Sequence, residues 1–128
     1  MKTFGLVLSG GGVRALAHAG MLKALDEHHL RPVVISGTSG GALVGALYAS
    51  GKTPEQLLDF FKQTPLFKFS MLSLGKMGLI NSNKYPALFE KFLSCTTFEE
   101  LSIPLYVAAT NLLSGKITYF SKGDLIAP

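Results

Sequence analysis

The sequence predicts an α/β fold with a mainly parallel sheet, on two observations. Short apolar runs alternate with segments of helical periodicity, and two glycine-rich turns each follow such a run and lead into a helix. At 128 residues, 48% of them hydrophobic, the chain suits a single domain over residues 1–128 with a well-filled core.

The first element is the run Thr3 to Leu8, apolar at consecutive positions, as expected of a strand buried on both faces. Ser9 and the glycines Gly10, Gly11 and Gly12 end it. From Val13 the pattern turns helical: Val13, Leu16, Ala17, Gly20, Met21, Ala24 and Leu25 recur at three-to-four spacing, with Arg14, His18, Lys23 and Glu27 elsewhere, and Pro32 follows as a stop. A short β-branched run, Val33 to Ile35, is a second strand. Ser36 to Gly41 then leads into a small apolar helix from about Ala42 to Ser50, with Gly51 at its C-terminal cap. Two apolar strands joined by such a helix make a βαβ unit with a right-handed crossover.

Thr53-Pro54-Glu55-Gln56 is a helix start, with Thr as N-cap, Pro at the first helical position and Gln three residues past the cap; this helix runs to about Gln63. Pro65 to Asn83 is apolar without a clean period and reads as a loop or broken helix. A further helix spans about Asn83 to Ser94, with Leu88, Phe89 and Phe92 on one face, and Thr97 to Glu100 starts a short turn. Strands Pro104 to Thr110 and Lys116 to Ser121, joined by a turn around Leu113-Ser114-Gly115, close the pattern.

Charged residues make up only 16% of the chain, below the roughly 25% usual for soluble domains, so a large share of its surface is internal or faces a partner. A membrane surface, a second subunit in a homo-oligomer, or a further C-terminal portion of the same protein would each supply that partner. The net charge of +4 is spread along the chain, which gives mild attraction to anionic surfaces. It lacks the clustered basic residues and interleaved aromatics of a nucleic-acid binder, so no nucleic acid is expected. The single Cys95 excludes an internal disulfide and a Cys-rich metal site, and fits a reducing cytoplasm. Lys2 leads straight into the strand-like run, so no secretory leader is expected, and the apolar region Pro65 to Ile80, broken by Lys68 and Lys76, is too short to span a bilayer.

Gly37-Thr38-Ser39-Gly40-Gly41 fits G-x-S-x-G between an apolar strand and a small-residue helix, the placement a nucleophile elbow requires. Such a turn forces its serine into a strained backbone conformation that projects the hydroxyl, and the flanking glycines Gly37 and Gly41 leave room where a Cβ would collide. The alternative is a plain Gly/Ser turn before a helix. The first glycine turn, Gly10-Gly11-Gly12-Val13-Arg14, puts several backbone N–H groups at a helix N-terminus and makes an anion nest. It also satisfies G-x-G-x-x-A after a strand, but dinucleotide binding would require an acidic residue at the end of the second strand, which ends in Ser36 and Gly37. Both turns lie at the C-terminal ends of adjacent parallel strands, where open α/β sheets place their sites. One offers a nucleophile, the other an oxyanion hole.

On these residues, with GGGVRALAHAGMLKAL from Gly10, GTSGGALVGALYASG from Gly37 and AATNLLSGKITYFSKGDL from Ala108, the sequence resembles the patatin-like phospholipases over most of its length. The resemblance implies a patatin-like three-layer fold hydrolysing fatty-acyl esters through a Ser–Asp dyad, with no histidine and no cofactor. It makes Ser39 the nucleophile, assigns the oxyanion hole to Gly10, Gly11 and Gly12, and places Arg14 at the basic, anion-binding position; in the mechanism expected from the elbow, the N–H of Gly40 joins that hole. Ala15 stands where a glycine is frequent.

The sequence departs from the family at its C-terminus. The family's catalytic aspartate lies in a D-G-G or D-G-A motif beyond the last matched strand, and Asp26, Asp59 and Asp124 have no such context. The expectation is a fold incomplete at the C-terminus, an N-terminal portion that is inactive or weak alone. His18 matches a position of the family motif and reads as structural, while His28 and His29 end a helix where imidazolium suits the dipole. Between Pro65 and Ile80, the residues Phe67, Phe69, Met71, Leu72, Leu74 and Met77 read either as a lid meeting a lipid surface or as packing. A non-catalytic lipid-binding module, peripheral at membranes, is the alternative function.

Overall fold

In the computed structural model, which describes residues 3–64 and 85–126, four strands form one sheet in sequence order: β1 (Gly5–Leu8), β2 (Val34–Thr38), β3 (Leu105–Thr110) and β4 (Ile117–Phe120). The first three are parallel and β4 runs antiparallel to β3, giving the mainly parallel sheet expected. The helices are α1 (Leu16–Glu27), α2 (Gly40–Ala49), α3 (Pro54–Gln63) and α4 (Tyr85–Phe92), with 3-10 turns at Gly12–Ala15 and Phe98–Glu100. The apolar stretch Pro65 to Ile80, and with it the lid reading, lies outside the described residues.

Strand order and burial fix the layers. A chain that adds β1, β2 and β3 side by side in one direction through right-handed crossovers must put every connecting helix on the same face. Accordingly α2 lies across all three parallel strands, and α1 and α3 pack on α2 and on each other. Leu8, Ile35 and Leu105 share the covered face and are buried to 2% exposure or less. The sheet and this helical layer are two of the three layers expected.

The expectation that β1 is buried on both faces does not hold among the described residues. Leu8 is buried, but Val7 on the opposite face is 79% exposed, alongside Tyr106 at 48% and Tyr119 at 70%. The cause is the one-directional winding: no described helix crosses to that side.

Two boundaries move for the same reason. β2 continues past its β-branched run and past the expected end at Ser36 and Gly37 to Thr38, because Ser36, Gly37 and Thr38 are held by β3 and the first two also by β1. Central pairing overrides the turn-like composition of Ser36-Gly37. The following helix therefore starts at Gly40, two residues before the expected Ala42.

The buried face of α1 also differs. Ala15, Ala19 and Leu22 are buried, whereas Met21 is 38% exposed and Ala17, Gly20 and Ala24 are exposed. Small and apolar residues run round this helix, so period alone could not select a face. The inner face is set by close packing, since a Cβ on Gly40 would come within 2.7 Å of the Ala15 Cβ.

The capping box of α3 forms as expected: Thr53 Oγ1 accepts from the Gln56 N–H at 3.3 Å and Gln56 Oε1 accepts from the Thr53 N–H at 2.9 Å. Its inner side chain, Phe60, meets Phe61, Phe89 and Phe92 edge-on with ring centroids 5.1 to 5.5 Å apart, which ties α4 to α3. Thr97 pairs with Asp124 and Leu125 packs on the core, so the chain after β4 passes the N-terminal end of β3.

Candidate active site

Ser39 follows the last residue of β2 and is the N-cap of α2, with φ 51 and ψ −129. An N-cap serine ordinarily takes extended angles and turns its hydroxyl onto the helix N–H groups. Here the left-handed φ rotates the side chain away: Ser39 makes no capping bond and is exposed. A non-glycine residue in this region carries about 1–3 kcal/mol of backbone strain.

The neighbours explain how the strain is sustained. Thr38 Oγ1 donates to the Ala108 carbonyl at 3.0 Å, which pins the residue before Ser39 to β3. A Cβ on Gly41 would lie 2.1 Å from the Leu8 carbonyl oxygen, and one on Gly37 would lie 2.7 Å from that of Gly41, so the turn closes only with glycine at both positions.

The first glycine turn lies directly against the second. A Cβ on Gly10 would come 3.1 Å from the Ser39 Cβ and 3.8 Å from its Oγ, and one on Gly40 would come 3.1 Å from the Gly12 carbonyl oxygen. The structure thus brings Gly10, Gly12, Ser39 and Gly40 together, with Gly11 as the N-cap of the 3-10 turn that precedes α1. Gly11 accepts from the Arg14 N–H at 3.1 Å, closing that turn. Two helical N-termini converge here, and neither has an acidic residue in its first turn. Their leading N–H groups have no intrahelical acceptor, so the local field favours a negative charge beside Ser39. Arg14 is exposed, and among the described residues no carboxylate pairs with it.

His18 Nε2 donates to the Ser9 carbonyl at 2.9 Å, tying the first turn of α1 back to the start of the glycine turn. This is a structural role, as the sequence suggests. The particular partner, nine residues upstream, carried no sequence signal, and neither did the Thr38 bond to β3.

The three aspartates lie elsewhere. Asp26 accepts from Tyr48 at 2.5 Å near the C-terminal end of α1, Asp59 pairs with Lys62 at 3.8 Å, and the Asp124 carboxylate accepts from the Ile126 N–H at 2.8 Å while its backbone bridges to Thr97, at the end of β3 away from Ser39. Burial, reinforced by the Glu100 carboxylate, pushes the Cys95 thiol up, which keeps it protonated and a poor nucleophile. Among the described residues no group of three His, Cys, Asp or Glu side chains could hold a metal ion, and no helix is long and apolar enough to cross a membrane. Chemically, an exposed, strained hydroxyl beside a glycine turn and two helical N-termini suits attack on a carbonyl carbon with capture of the oxyanion.

Residues 6–124 match the profile of a family described as patatin-like phospholipase. An uncharacterized NTE family protein of Mycobacterium tuberculosis is 32% identical over 124 residues, covering 95% of this chain and 34% of that protein. Lysophospholipase NTE1 of Coccidioides immitis is 30% identical over 134 residues, covering 95% of this chain and 8% of that protein. In structure, the type III effector protein ExoU aligns with a TM-score of 0.60 at 17% identity, over 98% of this chain and 37% of that one, a likeness of fold. The chain spans about a third of the length of the mycobacterial relative, 34%.

Proposed function

The chain belongs to the patatin-like phospholipase family, and from that premise we propose that it carries the nucleophile and oxyanion hole of a lipid acyl hydrolase. The observation that bears most weight is Ser39 itself, held at φ 51 on a strand-to-helix turn, uncapped and exposed against the Gly10 turn. A relative named lysophospholipase supports fatty-acyl esters of glycerophospholipids as the substrate class.

In this reading Ser39 Oγ attacks the acyl carbonyl as an aspartate takes its proton. The N–H groups of the Gly10 to Gly12 turn and of Gly40 receive the oxyanion. Collapse of the tetrahedral intermediate expels the alcohol, which takes the proton back, and water then releases the fatty acid by the reverse sequence. The placements of Asp26, Asp59 and Asp124, each engaged away from Ser39, support a base supplied from outside these 128 residues. These residues alone are then inactive or weak.

A fluorophosphonate probe tests this on residues 1–128 and on the protein with its downstream sequence, the modified residue being mapped by mass spectrometry. Labelling of Ser39 in the longer form only is expected. Labelling in both would return the base to this chain. Labelling in neither would overturn the hydrolase reading in favour of a non-catalytic lipid-binding module.

A further inference from the structure

β3 runs two residues past the level of Thr38, about 7 Å at ~3.3 Å per residue, before its turn to β4 begins. The tip of this hairpin therefore projects from the end of the sheet that carries Ser39, one strand away from it. At the tip stand Leu112 and Leu113, 93% and 101% exposed. Isolated exposed leucines are ordinary, but two adjacent, fully exposed ones at the mouth of a site are not.

The turn holds them out. Asn111 Oδ1 accepts from the N–H groups of Leu113 and Ser114 at 3.0 and 3.1 Å, its carbonyl accepts from Gly115 at 2.8 Å, and its N–H donates to Lys116 at 2.8 Å. With the N–H groups of Leu113, Ser114 and Gly115 all satisfied by Asn111, the polar cost of carrying the tip into an apolar medium is reduced. The charge matches one kind of medium. Between Leu105 and Gly123 the only charged residues are Lys116 and Lys122, and Ile117, next to Lys116, is 59% exposed. An apolar point with lysine behind it suits an anionic phospholipid surface, the leucines among acyl chains and the ammonium at the phosphates.

We propose that Leu112 and Leu113 form an insertion tip that seats the Ser39 end of the sheet on an anionic phospholipid surface. The proposal rests on the acyl-hydrolase reading for its purpose, since it would bring ester bonds to the nucleophile, though vesicle binding can be measured without turnover.

The test uses the full-length protein and vesicles of phosphatidylcholine with or without phosphatidylserine. The double variant Leu112→Ser, Leu113→Ser should lower partition by at least about tenfold, the loss expected from withdrawing two leucines from an apolar phase. Turnover of phospholipid vesicles should fall with it, while kcat/KM for a soluble short-chain ester and Tm stay unchanged. Leu113→Phe should keep partition, and Lys116→Glu should weaken it only where phosphatidylserine is present. Unchanged partition of the double variant overturns the proposal. So does a joint fall of Tm and soluble-ester turnover, which would mean that the leucines pack against further protein. If the wild type hydrolyses neither ester, the hydrolase reading fails, and partition alone still decides for or against the tip.

Discussion

His18 Nε2 lies 2.9 Å from the Ser9 carbonyl oxygen and so closes a ring of side chain and backbone around the Gly10 to Gly12 turn. Donation to a carbonyl requires the proton on Nε2, and the bond sets where the turn begins relative to α1. His18 is a positioning residue in the acyl-hydrolase reading. His18→Leu should lower kcat by roughly tenfold to a hundredfold, the usual consequence of displacing a catalytic group by up to about 1 Å, with little change in KM. His18→Gln, whose amide can still donate, should recover much of the rate. Equal losses in both variants, or a loss confined to KM, would remove this role.

Ser39 is held in a strained conformation, and releasing the strain should stabilise the fold. Ser39→Gly and Ser39→Ala should both abolish ester turnover, but only glycine occupies φ 51 without a Cβ penalty. Thermal unfolding should therefore place the glycine variant about 1 kcal/mol above the alanine variant, a few degrees in Tm. Equal melting temperatures would mean that the left-handed conformation carries no strain.

Gly41 and Gly20 give opposite expectations for one change. A Cβ at Gly41 would meet the Leu8 and Ser9 carbonyl oxygens at 2.1 and 2.6 Å, backbone atoms that cannot rotate aside, whereas one at Gly20 meets nothing within 4 Å. Gly41→Ala should cost about 3 kcal/mol or more by forcing α2 off β1. Gly20→Ala, on the exposed side of α1, should gain about 0.5–1 kcal/mol from helix propensity. Denaturant midpoints decide both, and a mild effect at Gly41 would show that α2 can shift freely.

Those contrasts mark what the sequence could and could not reveal. The turn holding Ser39 was legible because glycines at 37, 40 and 41 are needed for close approach, and the spacing of that need is local. The Thr53 cap and the β3 to β4 hairpin were legible for the same reason. The extension of β2 to Thr38 was hidden, because it depends on β3 arriving from a distant part of the chain. The exposure of Val7 depends on the direction in which the sheet is wound, and the inner face of α1 on a contact between Ala15 and Gly40, neither of which leaves a periodic trace. Side-chain bonds such as Thr38 to Ala108 join residues 70 positions apart and have no local signature.

Tyr48 Oη donates to Asp26 Oδ1 at 2.5 Å, a bond that straps α2 to the end of α1 away from Ser39. Burial first, then this bond and the carboxylate charge, push the Tyr48 hydroxyl from 10.0 up to about 12, against a smaller opposing effect of Arg31. The folded protein thus keeps a proton that the unfolded chain releases near pH 10. Where the folded state binds more protons, stability falls as pH rises, so this contribution is complete below about pH 10 and is lost between about pH 10 and 12. Tyr48→Phe should cost about 1–2 kcal/mol at neutral pH, the worth of a hydrogen bond to a charged acceptor. Its denaturation midpoint should also fall less steeply than the wild type's across that alkaline window. Parallel profiles for the two proteins would show that the strap does not link α1 to α2 energetically, and the pair would then be a contact without consequence for the site that α2 begins.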